Sequence, residues 1–185
     1  NGLSAPWGVA YLPDGRLLVT EKAGNIKIVT QAGVISNALT GVPAVNPADQ
    51  GGLLGICLDP AFETNRMIYW TFSEAVAGGN ITAVAKGRLA NNDAAVENVT
   101  VIYRSNTPNS STLHYGSRVV FDKSGNLFVS IGERSVLQTR PLAQAVNSSL
   151  GKIVRITTGG QAVSGNPAFT QTGALPELYT IGHRN

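Results

Sequence analysis

A strand–turn–strand–turn–strand pattern occurs three times along this 185-residue sequence, and it constrains the fold more than any other feature. In the first copy, an apolar run at residues 7–12 leads through Pro13-Asp14-Gly15 to a second apolar run at residues 16–20. Proline presets φ and glycine accepts positive φ, so this tripeptide predicts a tight turn between two strands. A third strand follows, in which Ile26 and Ile28 share one face at the two-residue period of a β-strand.

The later copies repeat this order with different turns. Their predicted strands lie at residues 53–58, 67–72 and 81–89 in the second copy, and at residues 117–122, 127–132 and 151–157 in the third. The copies begin roughly every fifty residues, which is near the repeat length of β-propeller blades. We therefore predict an all-β protein in which residues 1–185 form a partial β-propeller domain, roughly blades one to three. Residues 141–149 show helical spacing of apolar side chains, which predicts one short helix there.

The composition supports an all-β chain and narrows the possible partners. Only 14% of the residues are charged, while 21 glycines and 9 prolines suit many tight turns. The net charge of +3 comes from scattered Lys and Arg residues without a basic run, which argues against nucleic acid as a partner. No apolar stretch approaches the roughly 20 residues that a membrane span needs. The single cysteine, Cys57, excludes an internal disulfide and is predicted to be a buried small hydrophobe.

Three blades are too few to close a ring, because propellers typically have about four to eight. An open half leaves unpaired strand edges and an uncovered sheet face. We expect another part of a longer protein, of which these residues are a piece, to supply the missing propeller half. Alternatively, a second chain supplies it. Association of two copies into one six-bladed ring is the third possibility.

Short motifs follow one another in a fixed order along nearly the whole chain. They are Pro6-Trp7-Gly8, Leu12-Pro13-Asp14-Gly15-Arg16, Gln50-Gly51-Gly52-Leu53-Leu54-Gly55, His114-Tyr115-Gly116-Ser117-Arg118, Gly132-Glu133-Arg134, Leu150-Gly151-Lys152 and Gly182-His183-Arg184-Asn185. Each motif alone is weak, but the ordered set resembles the N-terminal half of the glucose/sorbosone dehydrogenase family, whose members are quinoprotein sugar dehydrogenases.

That resemblance implies a six-bladed propeller that holds pyrroloquinoline quinone (PQQ) over its central channel, with calcium against the quinone. It implies a reaction in which an aldose sugar is oxidised at its anomeric carbon to the lactone. Electrons would then pass to a soluble acceptor, and the protein would be periplasmic or secreted.

The resemblance also assigns roles to individual residues. His114 matches the catalytic base of the family, and an imidazole can take the hydroxyl proton as hydride leaves the anomeric carbon. Arg184 and Asn185 match a quinone-contacting pair, in which a fixed cation and an amide donor stabilise negative charge on the quinone oxygens. Gln50 matches a glutamine near the sugar and the quinone, and it precedes Gly51-Gly52, where the backbone can approach a ligand closely.

The chain departs from the family pattern at four positions near these motifs. Gly55 stands where the family usually has an aspartate, Asp59 stands where it often has a histidine, and Glu133 replaces another usual aspartate. Leu113 precedes the histidine where the glucose-oxidising members carry an aspartate, so it points to the broader aldose dehydrogenase branch and leaves the sugar open. The calcium ligands of the family follow the Arg-Asn motif, so no metal ligand is assigned within this sequence. His183 is given a packing or hydrogen-bonding role.

Two other functions remain open from the sequence. A non-catalytic propeller that serves as a binding module fits the changes at Gly55 and Leu113, because fold does not fix function. A metal-dependent propeller lactonase needs acidic and amide side chains at loop ends around the channel, and the sequence shows no such acidic set, so this alternative ranks last. Neither a Gly-x-Gly-x-x-Gly nor a Gly-x-Ser-x-Gly motif is present, which argues against a nicotinamide site and an α/β-hydrolase.

Overall fold

The computed structural model describes residues 2–185 as three antiparallel β-sheets that follow one another along the chain. The first sheet contains β1 (Pro6–Tyr11), β2 (Leu17–Glu21) and β3 (Asn25–Val29). The second contains β4 (Leu53–Leu58), β5 (Met67–Val76), β6 (Gly79–Leu89) and β7 (Val96–Arg104). The third contains β8 (Gly116–Phe121), β9 (Leu127–Ile131), β10 (Lys152–Ile156) and β11 (Leu178–Ile181). Strands consecutive in sequence are neighbours in each sheet, and the all-β prediction is confirmed.

The sequence pattern misses two strands, β7 and β11. β7 carries polar residues at many positions, and β11 is only four residues long after a turn-rich segment, so neither shows a clear apolar alternation.

Within residues 2–185, helical structure is limited to two single turns. The turn before β5 contains α1 (Phe62–Asn65), and a 3-10 helix spans Arg140–Ala143. The predicted helix at residues 141–149 is wrong beyond Ala143. The last helical backbone bond runs from Ala145 N to Leu142 O at 3.1 Å, and side-chain oxygens then accept from the amides of residues 149 and 150. Ser149 N donates to Asn106 Oδ1 at 2.9 Å, and Leu150 N donates to Ser148 Oγ at 3.2 Å. Among residues 2–185, no helix has the length and apolar character needed to cross a membrane.

The three sheets pack side by side through their first strands, with β4 between β1 and β8. One hydrophobic core lies between the first and second sheets and includes Leu18 and Trp70. A second core lies between the second and third sheets and includes Tyr69 and Val129. Cys57 packs against this second core and is partly buried, less than the sequence predicted, and this burial raises the pKa of its thiol to about 12.

A buried threonine hydroxyl joins the first sheet to the second. Thr20 Oγ1 on β2 accepts a hydrogen bond from Gly8 N at 2.8 Å and donates one to Leu54 O at 2.6 Å. Gly8 lies where the register between β1 and β2 shifts, so its N–H turns to the hydroxyl instead of the neighbouring strand. A Cβ added to Gly8 would lie 2.6 Å from Leu54 O, so the close approach of the two sheets requires glycine here.

The same link joins the second sheet to the third. Thr71 Oγ1 on β5 accepts from Gly55 N at 2.8 Å and donates to Ser117 O at 2.6 Å. A Cβ added to Gly55 would lie 2.3 Å from Ser117 O. On β9 of the third sheet, Ser130 Oγ accepts from Arg118 N at 2.9 Å but donates to no atom of residues 2–185. The Ser130 hydroxyl therefore occupies the position of Thr20 and Thr71, whose hydroxyls donate to the next sheet.

Candidate active site

The four residues predicted to form the site lie at one edge of the second and third sheets. Gln50 precedes β4 and His114 precedes β8, whereas Arg184 and Asn185 follow β11. Neighbouring strands of the third sheet are antiparallel, so β11 runs opposite to β8 and ends at the edge where β8 begins. Sheet topology thus brings the last residues of the sequence to the residue predicted to be the catalytic base.

His114 pairs with a buried carboxylate that the sequence analysis noted only as a replaced aspartate. His114 Nδ1 lies 2.6 Å from Glu133 Oε1, and the Glu133 side chain is only 3% exposed. The other carboxylate oxygen, Oε2, accepts from Ser135 N at 2.8 Å. A carboxylate can only accept, so the hydrogen resides on Nδ1 and the lone pair of the neutral ring resides on Nε2. No atom of residues 2–185 forms a hydrogen bond with Nε2, which leaves it available to a substrate.

The backbone of His114 is held in an unusual conformation. Its φ is 47°, in the left-handed region that non-glycine residues rarely adopt. His114 N donates to Gln50 Oε1 at 2.8 Å, and Gln50 N donates to Thr112 O at 3.1 Å. A Cβ added to Gly132 would lie 2.1 Å from His114 O, so this glycine lets the loop approach β9. Gln50 therefore contributes to positioning the histidine in addition to its predicted contact with ligands.

The last two residues complete this arrangement. Asn185 Oδ1 accepts from Gly116 N at 2.9 Å, and Arg184 O accepts from Glu133 N at 2.9 Å. Arg184 Nε lies 3.7 Å from Glu133 Oε1, while the Arg184 side chain remains 68% exposed. These bonds fix the backbone of the Arg-Asn pair and leave most of the guanidinium free for an anionic ligand.

A cavity of about 240 Å³ lies beside this cluster. It is lined by Trp7, Gln50, Leu54, Tyr115, Gly116 and Asn185. The guanidinium of Arg118 stacks over the Trp7 ring with its Cζ 4.7 Å from the ring centroid, so β1 and β8 also meet here. Neither Trp7 nor Arg118 was assigned a role from the sequence, although both belong to the ordered motifs.

His183, the second histidine, does not face Glu133 within hydrogen-bonding distance. Its Nε2 lies 2.6 Å from Thr180 Oγ1, and its backbone N donates to Gly151 O at 3.0 Å. These contacts match the hydrogen-bonding role given to it. They also tie the segment that carries Arg184 to the loop before β10.

Residues 2–185 contain no group of three or more His, Cys, Asp or Glu side chains arranged to hold a metal ion. Calcium coordination by this protein therefore stays a prediction.

Comparison with known proteins fits this arrangement. A profile of the glucose/sorbosone dehydrogenase family matches residues 3–185. The chain is 36% identical to the aldose sugar dehydrogenase YliI of Escherichia coli over 99% of its own length. The chain belongs to the glucose/sorbosone dehydrogenase family.

Solved structures of this family superpose on the whole chain. A glucose dehydrogenase crystal structure matches with a TM-score of 0.94 and 39% identity, over 100% of this chain and 53% of that one. The PQQ-bound aldose sugar dehydrogenase of Streptomyces coelicolor matches with a TM-score of 0.82 and 32% identity, over 100% of this chain and 52% of that one. The chain covers 49% of the E. coli relative, so it spans about half the length of the proteins it matches.

The side chains of this family member suit one part of a PQQ site. PQQ is planar and anionic, and its quinone and carboxylate oxygens accept hydrogen bonds. The exposed Arg184 guanidinium offers a fixed cation, and the side-chain amide nitrogens of Gln50 and Asn185 donate to no atom of residues 2–185. The Trp7 ring adds an aromatic wall to the cavity. Amide and aromatic groups around one cavity, with an exposed cation on the residue before Asn185, are the chemistry that such a cofactor requires.

Proposed function

We propose that this chain forms half of a PQQ-dependent aldose dehydrogenase that oxidises a sugar at its anomeric carbon to the lactone. The observation that carries the proposal is the pairing of His114 with buried Glu133 beside a cavity lined by Gln50 and Asn185. The sugar dehydrogenase names of the relatives and the PQQ-bound structure of one of them support it.

His114 acts as the base in this proposal. The anomeric hydroxyl of the aldose gives its proton to Nε2, and the electron pair of that O–H bond forms the C=O bond of the lactone as hydride leaves the anomeric carbon. Bound PQQ would supply the two-electron acceptor for that hydride. Because the ring becomes an imidazolium, the negative charge of Glu133 at Nδ1 stabilises it as the proton arrives.

Arg184, Asn185 and Gln50 bind and orient in this proposal. The Arg184 guanidinium faces negative charge that develops on the cofactor side of the site. The side-chain oxygen of Gln50 accepts from His114 N and that of Asn185 accepts from Gly116 N, which leaves both NH₂ groups for the ligand. In each of these two amides, the oxygen helps to position His114 and the nitrogen is free to bind the sugar or the cofactor.

We also propose that the three sheets are roughly the first three blades of a six-bladed propeller. The Ser130 hydroxyl repeats the position of Thr20 and Thr71 but lacks their acceptor on a next sheet. On the same outer face, Val120 and Tyr179 are exposed apolar residues. The other half of the relatives' length would supply the sheets that cover this face, and the calcium ligands with them. Electron transfer to a soluble acceptor and a periplasmic or secreted location belong to the same proposal.

The binding-module alternative loses one of its two arguments. The close approach of Ser117 O leaves no room for a Cβ at position 55, so sheet packing accounts for Gly55 without any loss of activity. Leu113 is exposed and directly precedes His114, so in this proposal it influences which sugar is accepted.

The test is a dye-reduction assay with an aldose, PQQ and calcium, performed on the chain together with the half that completes it. His114→Ala should lower kcat by about two to four orders of magnitude, the usual contribution of a general base, with little change in KM. Glu133→Gln should also lower kcat, whereas Glu97→Gln, on the exposed face of β7, should match the wild type. A His114→Ala protein with wild-type turnover would refute the base assignment. A folded wild-type protein that binds no PQQ in the presence of calcium would favour the binding module.

A further inference from the structure

The arginine that follows Glu133 is an unusual buried charge. Arg134 is 0% exposed, and no carboxylate of residues 2–185 lies within ion-pair distance of it. Burial lowers the pKa of its guanidinium. A buried cation without a carboxylate is costly, so its hydrogen-bond partners must account for its position.

Two of its four acceptors are backbone carbonyls of the loop that carries His114, and the other two belong to Asn80. Arg134 Nε donates to Leu113 O at 3.0 Å, and Nη2 donates to Ser111 O. Nη2 also donates to Asn80 Oδ1, and Nη1 donates to Asn80 O at 3.4 Å. In return, Ser111 Oγ donates to Arg134 O at 2.5 Å. One planar guanidinium thus fixes two carbonyls that precede His114 in sequence.

The same guanidinium also contacts the residue after His114. Arg134 Cζ lies 3.8 Å from the centroid of the Tyr115 ring, and Tyr115 OH donates to Asn80 Oδ1 at 2.7 Å. His114 is therefore held on both sides, at Leu113 O and at the Tyr115 ring. Its φ of 47° is a conformation that persists only where the surroundings enforce it.

We propose that Arg134 is a positioning residue that fixes the backbone of His114, so that the ring meets Glu133 through Nδ1 and presents Nε2 to the substrate. Glu133 orients the imidazole ring of His114, and Arg134 orients the backbone of the loop that carries His114. The catalytic consequence rests on the proposed function, but the positioning itself does not.

The direct measurement is the tautomer of His114, read from long-range ¹H–¹⁵N correlation spectra of the chain. The protein has two histidines, so His183, whose Nε2 contacts Thr180, serves as an internal reference. In the wild type, His114 should be in the form with hydrogen on Nδ1. In Arg134→Met and Arg134→Lys, that signal should give way to a mixture of tautomers while the His183 signals stay in place. Arg104→Met, which removes an exposed arginine paired with Glu74, is the control and should leave both rings unchanged.

The lysine variant separates geometry from charge. Lysine keeps the cation but lacks the planar fork, so rescue of the wild-type tautomer by Arg134→Lys would overturn the proposal. Retention of that tautomer in a folded Arg134→Met protein would overturn it as well. If both variants fail to fold, Asn80→Ala removes only one acceptor of the guanidinium, and it should produce a partial loss of the Nδ1–H form. An unchanged His114 in folded Asn80→Ala would then refute the proposal.

Activity of the completed enzyme gives the second readout. A displaced base should lower kcat by about a hundredfold with KM nearly unchanged, the cost of misplacing a reacting group by about 1 Å. If the tautomer shifts as expected but the completed wild-type protein oxidises no aldose, the proposed function fails and the positioning role stands. If kcat falls while the tautomer is unchanged, the positioning role fails and the proposed function stands.

Discussion

Replacement of Thr71 by valine should destabilise the protein by separating the second sheet from the third. The hydroxyl is fully buried and serves both Gly55 N at 2.8 Å and Ser117 O at 2.6 Å, and both of these residues are buried as well. Valine has nearly the same shape as threonine, so it leaves a donor and an acceptor without partners or water. Each buried unpaired group costs about 1–3 kcal/mol, so we expect the free energy of unfolding to fall by about 3 kcal/mol. For a chain of this length, that corresponds to a decrease in Tm of about 6–12 °C.

The assay is urea unfolding followed by circular dichroism, with thermal melts in parallel. Thr100→Val is the matched control, because Thr100 is exposed on β7 and its hydroxyl forms no hydrogen bond within residues 2–185. That variant should stay within about 0.5 kcal/mol of the wild type. Ser130→Ala should lose less than Thr71→Val, because its donor, Arg118 N, belongs to an exposed residue that water can reach. The reasoning is refuted if Thr71→Val is no less stable than Thr100→Val.

Three further predictions follow from the packing and from the pKa shifts. Gly55→Ala should destabilise the chain more than Gly159→Ala in circular-dichroism melts, because its Cβ would meet Ser117 O at 2.3 Å whereas a Cβ at Gly159 would meet only Thr157 Oγ1 at 3.7 Å; both positions losing the same stability would contradict the packing argument. The Cys57 thiol, whose pKa burial raises to about 12, should react with a thiol-specific chromogenic disulfide only after unfolding, and rapid reaction of the native protein at neutral pH would show that it is accessible. Burial lowers the pKa of Lys152 to about 8, while Nζ donates to the carbonyls of Leu142, Ala143 and Leu150. Between about pH 8 and the unfolded pKa of 10.5 the unfolded chain binds more protons, so the Lys152 contribution to the free energy of unfolding should rise with pH across that window. Urea titrations below, within and above the window should show a smaller rise for Lys152→Met, and an identical pH dependence would refute the assignment.

The repeating arrangement of strands could be predicted from the sequence alone, because its signals are local. Pro13-Asp14-Gly15 sets a tight turn between two apolar runs, and alternation at Ile26 and Ile28 marks a strand with one buried face. The ordered motifs were enough to indicate the family, which the comparisons then confirmed. They also named His114, Gln50, Arg184 and Asn185, whose roles in binding and catalysis remain predictions.

The contacts of those residues depend on the tertiary structure. Glu133 lies 19 positions from His114 and Asn185 lies 69 positions from Gly116, and no local pattern reports a pairing over such separations. The end of β11 lies beside the start of β8 only because the four strands of the third sheet pair in antiparallel order. Burial of Arg134 beneath the His114 loop is likewise invisible in the sequence, where an arginine after a strand predicts a solvated charge. Local propensity specifies strands and turns, whereas side-chain partners depend on which edges the packed sheets bring together.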